Sequence, residues 1–228
     1  MEKVAAKYPG LQHQPGDSKS WGGMRRALRT FMRAQFGRPT GMFGTIVGTI
    51  MANAPSNQER IRWTIAQLEL RPNDRVLEIG FGPGYAVREA SKLLPEGFIA
   101  GVDHSEVMVH QAKKRNAVAM QNGKVDLRLG SVSNLPAYGE PFDKIFSINS
   151  IHFWTDPAAR LKELQGLLRP GGLIAITLQP RSRGSTSDTT DTIGKELVTY
   201  LEHAGFKKVR LEFKQAKPAP IACALGIR

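Results

Sequence analysis

The stretch Arg75-Val-Leu-Glu-Ile-Gly-Phe-Gly-Pro-Gly84 narrows the available folds more than any other part of the chain. Val76, Leu77 and Ile79 form a short apolar run of the kind buried in parallel sheets. Glycines then stand at every second position, Gly80, Gly82 and Gly84. A loop built this way lets backbone approach a ligand closely, because no Cβ intervenes. A helix pattern opens near Tyr85, so the unit is strand, glycine loop, helix. Its spacing is G-x-G-x-G. The dinucleotide fingerprint G-x-G-x-x-G fails, because Tyr85 and Ala86 follow Gly84. One acid, Glu78, lies just before the loop, and a second, Asp103, ends the next apolar strand.

The rest of the core alternates strand and helix, which predicts a doubly wound α/β fold around a mostly parallel sheet. Strands are expected near 75–79, 98–102, 125–129, 143–148 and 173–178, and helices near 85–94, 105–120 and 157–168. An Arg169-Pro-Gly-Gly172 turn precedes the fifth strand. Thr190 to Ala204 reads as a further helix, and 208–214 and 221–227 as two last strands. Upstream, Ser56-Asn-Gln-Glu59 has capping-box spacing, and Ile61, Ile65 and Leu68 give the following helix an apolar face. Pro72-Asn-Asp74 marks a turn before the first strand.

Together these features resemble the class I S-adenosylmethionine-dependent methyltransferases, whose first motif reads acid-x-Gly-x-Gly-x-Gly. The resemblance covers residues 57–228 and implies a seven-stranded Rossmann-like sheet with an antiparallel last strand. It implies S-adenosyl-L-methionine as cofactor, S-adenosyl-L-homocysteine as product, and no metal. In open α/β sheets ligands lie beyond the carboxyl ends of the strands. Gly80–Gly84, Asp103–Met108, Gly130–Val132 and Ser147–Trp154 are therefore expected around one crevice. By the resemblance, Gly80, Phe81, Gly82 and Gly84 form the cofactor loop. Asp103, acceptor-only when ionised, takes the ribose hydroxyls. Glu78 orients the loop or reaches the methionine amino group. His104 and Met108 flank the adenine. Ser131 stands where relatives often carry an acid for the adenine amino group, which leaves the Val132 N–H to meet the ring. Asn149 borders cofactor and acceptor.

Asn149-Ser-Ile-His-Phe-Trp154 lacks the Asn/Asp-Pro-Pro-aromatic motif of the methylases that act on exocyclic nucleobase amines. Cys223 falls on the predicted last strand, away from the site, which argues against a cysteine nucleophile. Asp156 alone does not provide the clustered carboxylates of metal-dependent catechol enzymes. His152 is the titratable side chain expected beside the transferred methyl, as a proton acceptor or as a packing residue. Tyr85 and Trp154 are candidates for an apolar or cation-friendly wall. The acceptor is expected to be a small, partly apolar metabolite. A phospholipid or quinone at a membrane surface is the alternative. An RNA methylase lacks support, because no aromatic-and-basic module is appended, and no nucleic acid partner is expected. A catalytically silent cofactor-binding subunit is a further alternative.

The chain carries a net charge of +12 at pH 7, which favours encounter with anionic partners without choosing among them. Residues 1–60 hold nine basic and three acidic side chains, half of that net charge. Residues 1–23 read as mobile, 24–36 as a basic amphipathic helix, and 41–52 as an apolar segment too short to span a bilayer. Residues 1–56 are thus expected to be a mobile N-terminus and helical lid, joined by the Ser/Thr-rich insertion 181–192, and able to rest on an anionic membrane surface. A single cysteine and the absence of a signal-peptide core fit a cytoplasmic location, with the membrane contact peripheral.

Overall fold

The computed structural model describes residues 55–182 and 184–228. The helices expected at 24–36 and 41–52, and with them the N-terminal lid, lie outside the described residues. In chain order the elements are α1 (Pro55–Gln67), β1 (Arg75–Ile79), α2 (Tyr85–Ser91), β2 (Phe98–Asp103), α3 (Glu106–Arg115), α4 (Ala117–Gln121) and β3 (Val125–Leu129). Then come β4 (Phe142–Ile148), a 3-10 turn (Ile151–Phe153), α5 (Pro157–Leu167), β5 (Leu168–Leu178), α6 (Ser187–His203), β6 (Lys207–Lys214) and β7 (Ile221–Ile227).

The seven strands form one sheet in the order β3-β2-β1-β4-β5-β7-β6. The first five are mutually parallel, and β7 runs antiparallel between β5 and β6. The expected sheet with an antiparallel last strand is therefore the one that forms. Strand order reverses between β1 and β4. The loops after these two strands leave in opposite directions and open a crevice at that point.

Alternation along the strands divides the core into two layers. Val76 of β1, Ile99 of β2 and Phe146 of β4 face the layer that α1, α2 and α3 cover through Ile61, Ile65, Leu68, Val87 and Ala112. Leu77, Ile79, Ile145 and Ile174 face the opposite layer, where α5 and α6 bring Leu161, Leu164, Leu197 and Leu201. Each such side chain, once fully buried, contributes about 1.5–3 kcal/mol. Period two also puts Glu78 on the same side as Val76, under α1 and α2. The one acid of β1 is thus buried for a geometric reason.

The structure departs from the sequence reading at several boundaries. α1 is described from Pro55 onward. Ser56 therefore lies inside the helix rather than capping it, and Glu59 pairs with Lys214 at 3.1 Å. The helix expected over 105–120 stops at Asn116, whose carboxamide bonds backbone oxygens instead of facing solvent. Arg169–Gly172 are drawn into β5, which pairs from Leu168 through a register shift opposite Phe142 and Lys144. The Ser/Thr-rich insertion is partly helix. Thr186 and Thr189 form a reciprocal capping box, so α6 starts at Ser187. Among the described residues no helix is long and apolar enough to cross a membrane.

Candidate functional site

The glycine loop is held from three directions. Gly80, Gly82 and Gly84 all have positive φ, at 75°, 52° and 78°, a conformation that side chains other than glycine's resist. Gly80 N donates to Val102 O at 2.8 Å, which ties the loop to β2. On the other side the loop meets the segment after β4: a Cβ added to Gly80 would lie 2.1 Å from Ser150 Oγ. Trp154 Nε1 donates to that hydroxyl at 3.0 Å and fixes it there. From beneath, α3 grips the loop. Asn116 Nδ2 donates to Gly84 O at 3.1 Å, and Arg115 donates to Pro83 O while stacking 3.7 Å from the Tyr85 ring centroid. Tyr85 and Trp154, expected as wall residues, therefore also brace the loop.

Asp103 bonds this loop directly, and Glu78 lies beside it in the same cleft. Asp103 is buried at the end of β2, and its Oδ2 accepts from Gly82 N at 2.7 Å. Its Oδ1 accepts from Ser105 N at 2.9 Å, while Ser105 caps α3 through Met108 N. Each oxygen of an ionised carboxylate keeps a further lone pair, so both can still accept from a ligand hydroxyl. Glu78 accepts a backbone hydrogen bond from Val87, and its Oε2 is buried without a partner among the described residues. Burial first, then the nearby Asp103 charge, pushes its pKa up from 4.5 to about 8. The carboxyl is therefore mostly protonated at neutral pH and would ionise more readily beside a cation.

A cleft of about 110 Å³ opens over this loop. Glu78, Gly80, Phe81 and Gly82 line it from the sheet, and Asn57 and Arg60 line it from α1. Sequence reasoning missed the α1 pair. Arg60 is 4% exposed, donates to Gln179 Oε1 at 2.6 Å and to Asn57 Oδ1, and has its pKa lowered to about 9 by burial and by Arg181. A signal existed. Asn57, Arg60 and Thr64 recur at helical spacing, a polar stripe beside Ile61, Ile65 and Leu68, and Thr64 bonds Thr177 across the helix–sheet seam at 2.9 Å. Asn116 left a weaker trace, as an Asn in the middle of a helix pattern.

The other expected site residues fall around the same end of the sheet with different degrees of freedom. His104 has a side chain 76% exposed, with Nδ1 3.9 Å from Asp103 Oδ1. Met108 is half-buried on the first turn of α3. Ser131 is exposed and its Oγ accepts from Ser133 N at 3.2 Å, while the Val132 side chain is buried in the α5/α6 layer. Asn149 takes φ 52°, and its Oδ1 accepts from Gln179 N at 2.8 Å, so its side chain links β4 to β5 and leaves its backbone to border the crevice. His152 is not among the residues lining the cleft. Burial pushes its pKa down to about 4, its Nδ1 is buried without a partner among the described residues, and its ring lies 3.9 Å from that of Phe153. It is neutral near pH 7, and a base of that strength is a weak one. Cys223 is fully buried with its thiol pushed up to about 12, which matches its exclusion as a nucleophile. Among the described residues no three His, Cys, Asp or Glu side chains converge as metal ligands.

An acceptor-only carboxylate, a buried carboxyl with an unused oxygen and a loop of bare backbone suit a ligand that carries both a diol and a positive charge. Comparison with known proteins points the same way. A family model described as a methyltransferase domain matches residues 76–172. An uncharacterized methyltransferase of Bacillus subtilis, YdaC, is 35% identical over 179 residues, spanning 78% of this chain and 96% of the relative. A ubiquinone/menaquinone biosynthesis C-methyltransferase of Geotalea daltonii is 28% identical over 116 residues, which is 50% of this chain and 49% of that one. In fold, the chain is similar to a SAM-dependent methyltransferase of Aquifex aeolicus. The TM-score is 0.63 at 21% identity, over 78% of this chain and 95% of the other.

Proposed function

This chain belongs to the class I S-adenosylmethionine-dependent methyltransferases, and we propose that it methylates a small, partly apolar metabolite. One observation carries the choice of acceptor. Beside the residues assigned to the cofactor, the cleft over the glycine loop carries the apolar side chains of Ile61, Tyr85 and Ile148, with Asn57 and Arg60 set among them. That lining suits a compact ligand oriented by a small number of polar contacts.

S-adenosylmethionine, when bound, supplies an electrophilic methyl group on a sulfonium. The chain's own residues then bind, orient and exclude water. Asp103 holds the ribose diol through its remaining lone pairs, while its bond to Gly82 keeps the loop in place. Glu78 offers its unused Oε2 to the amino group of the methionine portion. His104 and Met108 flank the adenine, Ser131 and the Val132 backbone border its edge, and the Asn149 backbone closes the site next to the acceptor. Methyl transfer depends chiefly on holding the reacting atoms in near-attack geometry away from water, and a strong base is dispensable. A neutral, weakly basic His152 is compatible with this.

Calorimetry of the full chain with S-adenosylhomocysteine tests the cofactor half, and absence of saturable binding by folded protein would refute it. A panel of small acceptors, read by S-adenosylhomocysteine formation, tests the rest. A quinone acceptor at a membrane surface is the second reading, favoured by the relative named for quinone methylation and by the basic N-terminal sequence. Salt-sensitive binding of the intact protein to anionic vesicles is its test. Vesicles that never bind at low salt would exclude the surface and favour the first reading.

A further inference from the structure

Among the described residues, neither Arg60 nor Arg181 has an acid within ion-pair distance. Arg60 stands in the wall of the glycine-loop cleft, and its partners are the neutral oxygens of Gln179 and Asn57. Its Nε is buried with no partner among the described residues. Arg181, just beyond the end of β5, is half-buried, and its Nε is likewise buried and unpartnered. No ion pair among the described residues reaches either guanidinium. Arg181 stands two residues beyond Gln179, which Arg60 bonds at 2.6 Å, and its charge helps lower the Arg60 pKa. Burial also holds the Arg181 pKa below its ordinary value.

An uncompensated buried charge costs several kcal/mol, and a like charge beside it adds to that cost. The fold nevertheless fixes the arrangement. The Gln179 carboxamide donates to Lys217 O at 3.2 Å and to Ala219 O at 2.8 Å, which turns its oxygen toward Arg60. Arg60 is thus set in place from α1 and from the β5 end together. This is the carboxyl edge of the sheet, where ligands of open α/β sheets lie. We infer that Arg60 and Arg181 form a subsite for a carboxylate or phosphate carried by the methyl acceptor. The inference rests on the methyltransferase reading and narrows its acceptor from a partly apolar metabolite to an anionic one. Guanidinium groups suit this role because their planar donors match carboxylate and phosphate geometry. The apolar side chains of Ile61 and Ile148 beside Arg60 take the remainder of the acceptor.

The cofactor's own carboxylate has the same chemistry, so the test separates the two sources. The full chain, with and without S-adenosylhomocysteine, is titrated with sodium phosphate and sodium acetate against sodium chloride at matched ionic strength. Thermal unfolding is the readout, since a ligand that binds only the folded state raises Tm. The expected result is that phosphate or acetate raises Tm of the loaded protein more than chloride does. Arg181→Met should weaken that response at least about tenfold, the loss of a hydrogen bond to a charged group. It should leave S-adenosylhomocysteine affinity within about twofold by calorimetry. If loading abolishes the anion response and Arg181→Met weakens S-adenosylhomocysteine instead, the arginines serve the cofactor and the acceptor subsite is overturned. If the three salts act alike in both forms, there is no anion subsite at all. If S-adenosylhomocysteine never binds, the methyltransferase reading fails on its own. An Arg181-dependent anion response of the unloaded chain would still support the subsite, and its absence would refute it. Arg60→Lys, which keeps the buried charge, provides a second variant and should weaken the response through loss of the planar fork.

Discussion

Replacing Glu78 with Gln should change how stability depends on pH. The folded carboxyl titrates at about 8, against 4.5 for the ordinary group, with burial as the larger cause and the Asp103 charge as the second. A pKa raised on folding means that the native state binds more protons than the unfolded chain across that interval. The stability contributed by the neutral carboxyl is therefore complete below pH 4.5 and is lost as pH rises through about 8. At about 1.4 kcal/mol per pH unit, the ceiling on this loss is about 5 kcal/mol, with a few kcal/mol expected once water reaches the ionised group through the cleft. Glutamine fills the same space without titrating. It can still accept from the Val87 N–H, and any fixed cost of the swap is the same at every pH. Urea unfolding of both proteins at pH 5, 7 and 8.5 gives the difference directly. The expected outcome is that Glu78→Gln gains on the parent by a few kcal/mol between the lowest and highest pH. A difference that stays within about 0.5 kcal/mol over the whole range would show that Glu78 ionises as an ordinary surface carboxylate does, and the account of a buried neutral carboxyl would be wrong.

Asp103→Ala should weaken S-adenosylhomocysteine binding by about 1.5–3 kcal/mol, as measured by calorimetry, because it removes an acceptor for the ligand and the partner of Gly82 N. Unchanged affinity would remove Asp103 from the site. Gly80→Ala should cost about 1–3 kcal/mol in urea unfolding and abolish ligand binding, since φ is 75° there and the new Cβ would lie 2.1 Å from Ser150 Oγ. A stable variant that binds normally would mean that the loop is not pinned against the β4 side. His152→Asn should lower the methyl-transfer rate less than tenfold and leave its pH profile between 6 and 8 unchanged, because the folded pKa is about 4. A loss of about 10²-fold or more would restore the histidine as a base.

The alternating pattern of strand and helix, the glycine loop and the two acids were legible because each is a local signal with its own period or spacing. Val76, Leu77 and Ile79 announce a buried strand whatever surrounds them. The antiparallel β7 was expected only through the resemblance, since alternation says nothing of strand direction in the tail. What stayed hidden depends on contacts between residues far apart in sequence. Arg60 reads as one more solvated base on an amphipathic helix until Gln179 is found against it, across 119 positions. Asn116 reads as mid-helix until its carboxamide is found on Gly84 O, at the position that caps the end of α3. His152 looked available for proton transfer because sequence cannot report burial, and burial is what lowers its basicity.

The buried thiol has a practical consequence. Cys223 is the chain's single cysteine, it is fully enclosed between β5 and β6, and its thiol stays protonated well above neutral pH. Thiol-directed reagents attack the thiolate, so the folded protein should be nearly inert to them. A cysteine introduced at one chosen surface position would then carry a fluorophore or spin label without competition. The native sequence can serve as its own label-free background, and distances from residues 1–54 to the glycine loop become measurable with two engineered sites and no deletion of Cys223.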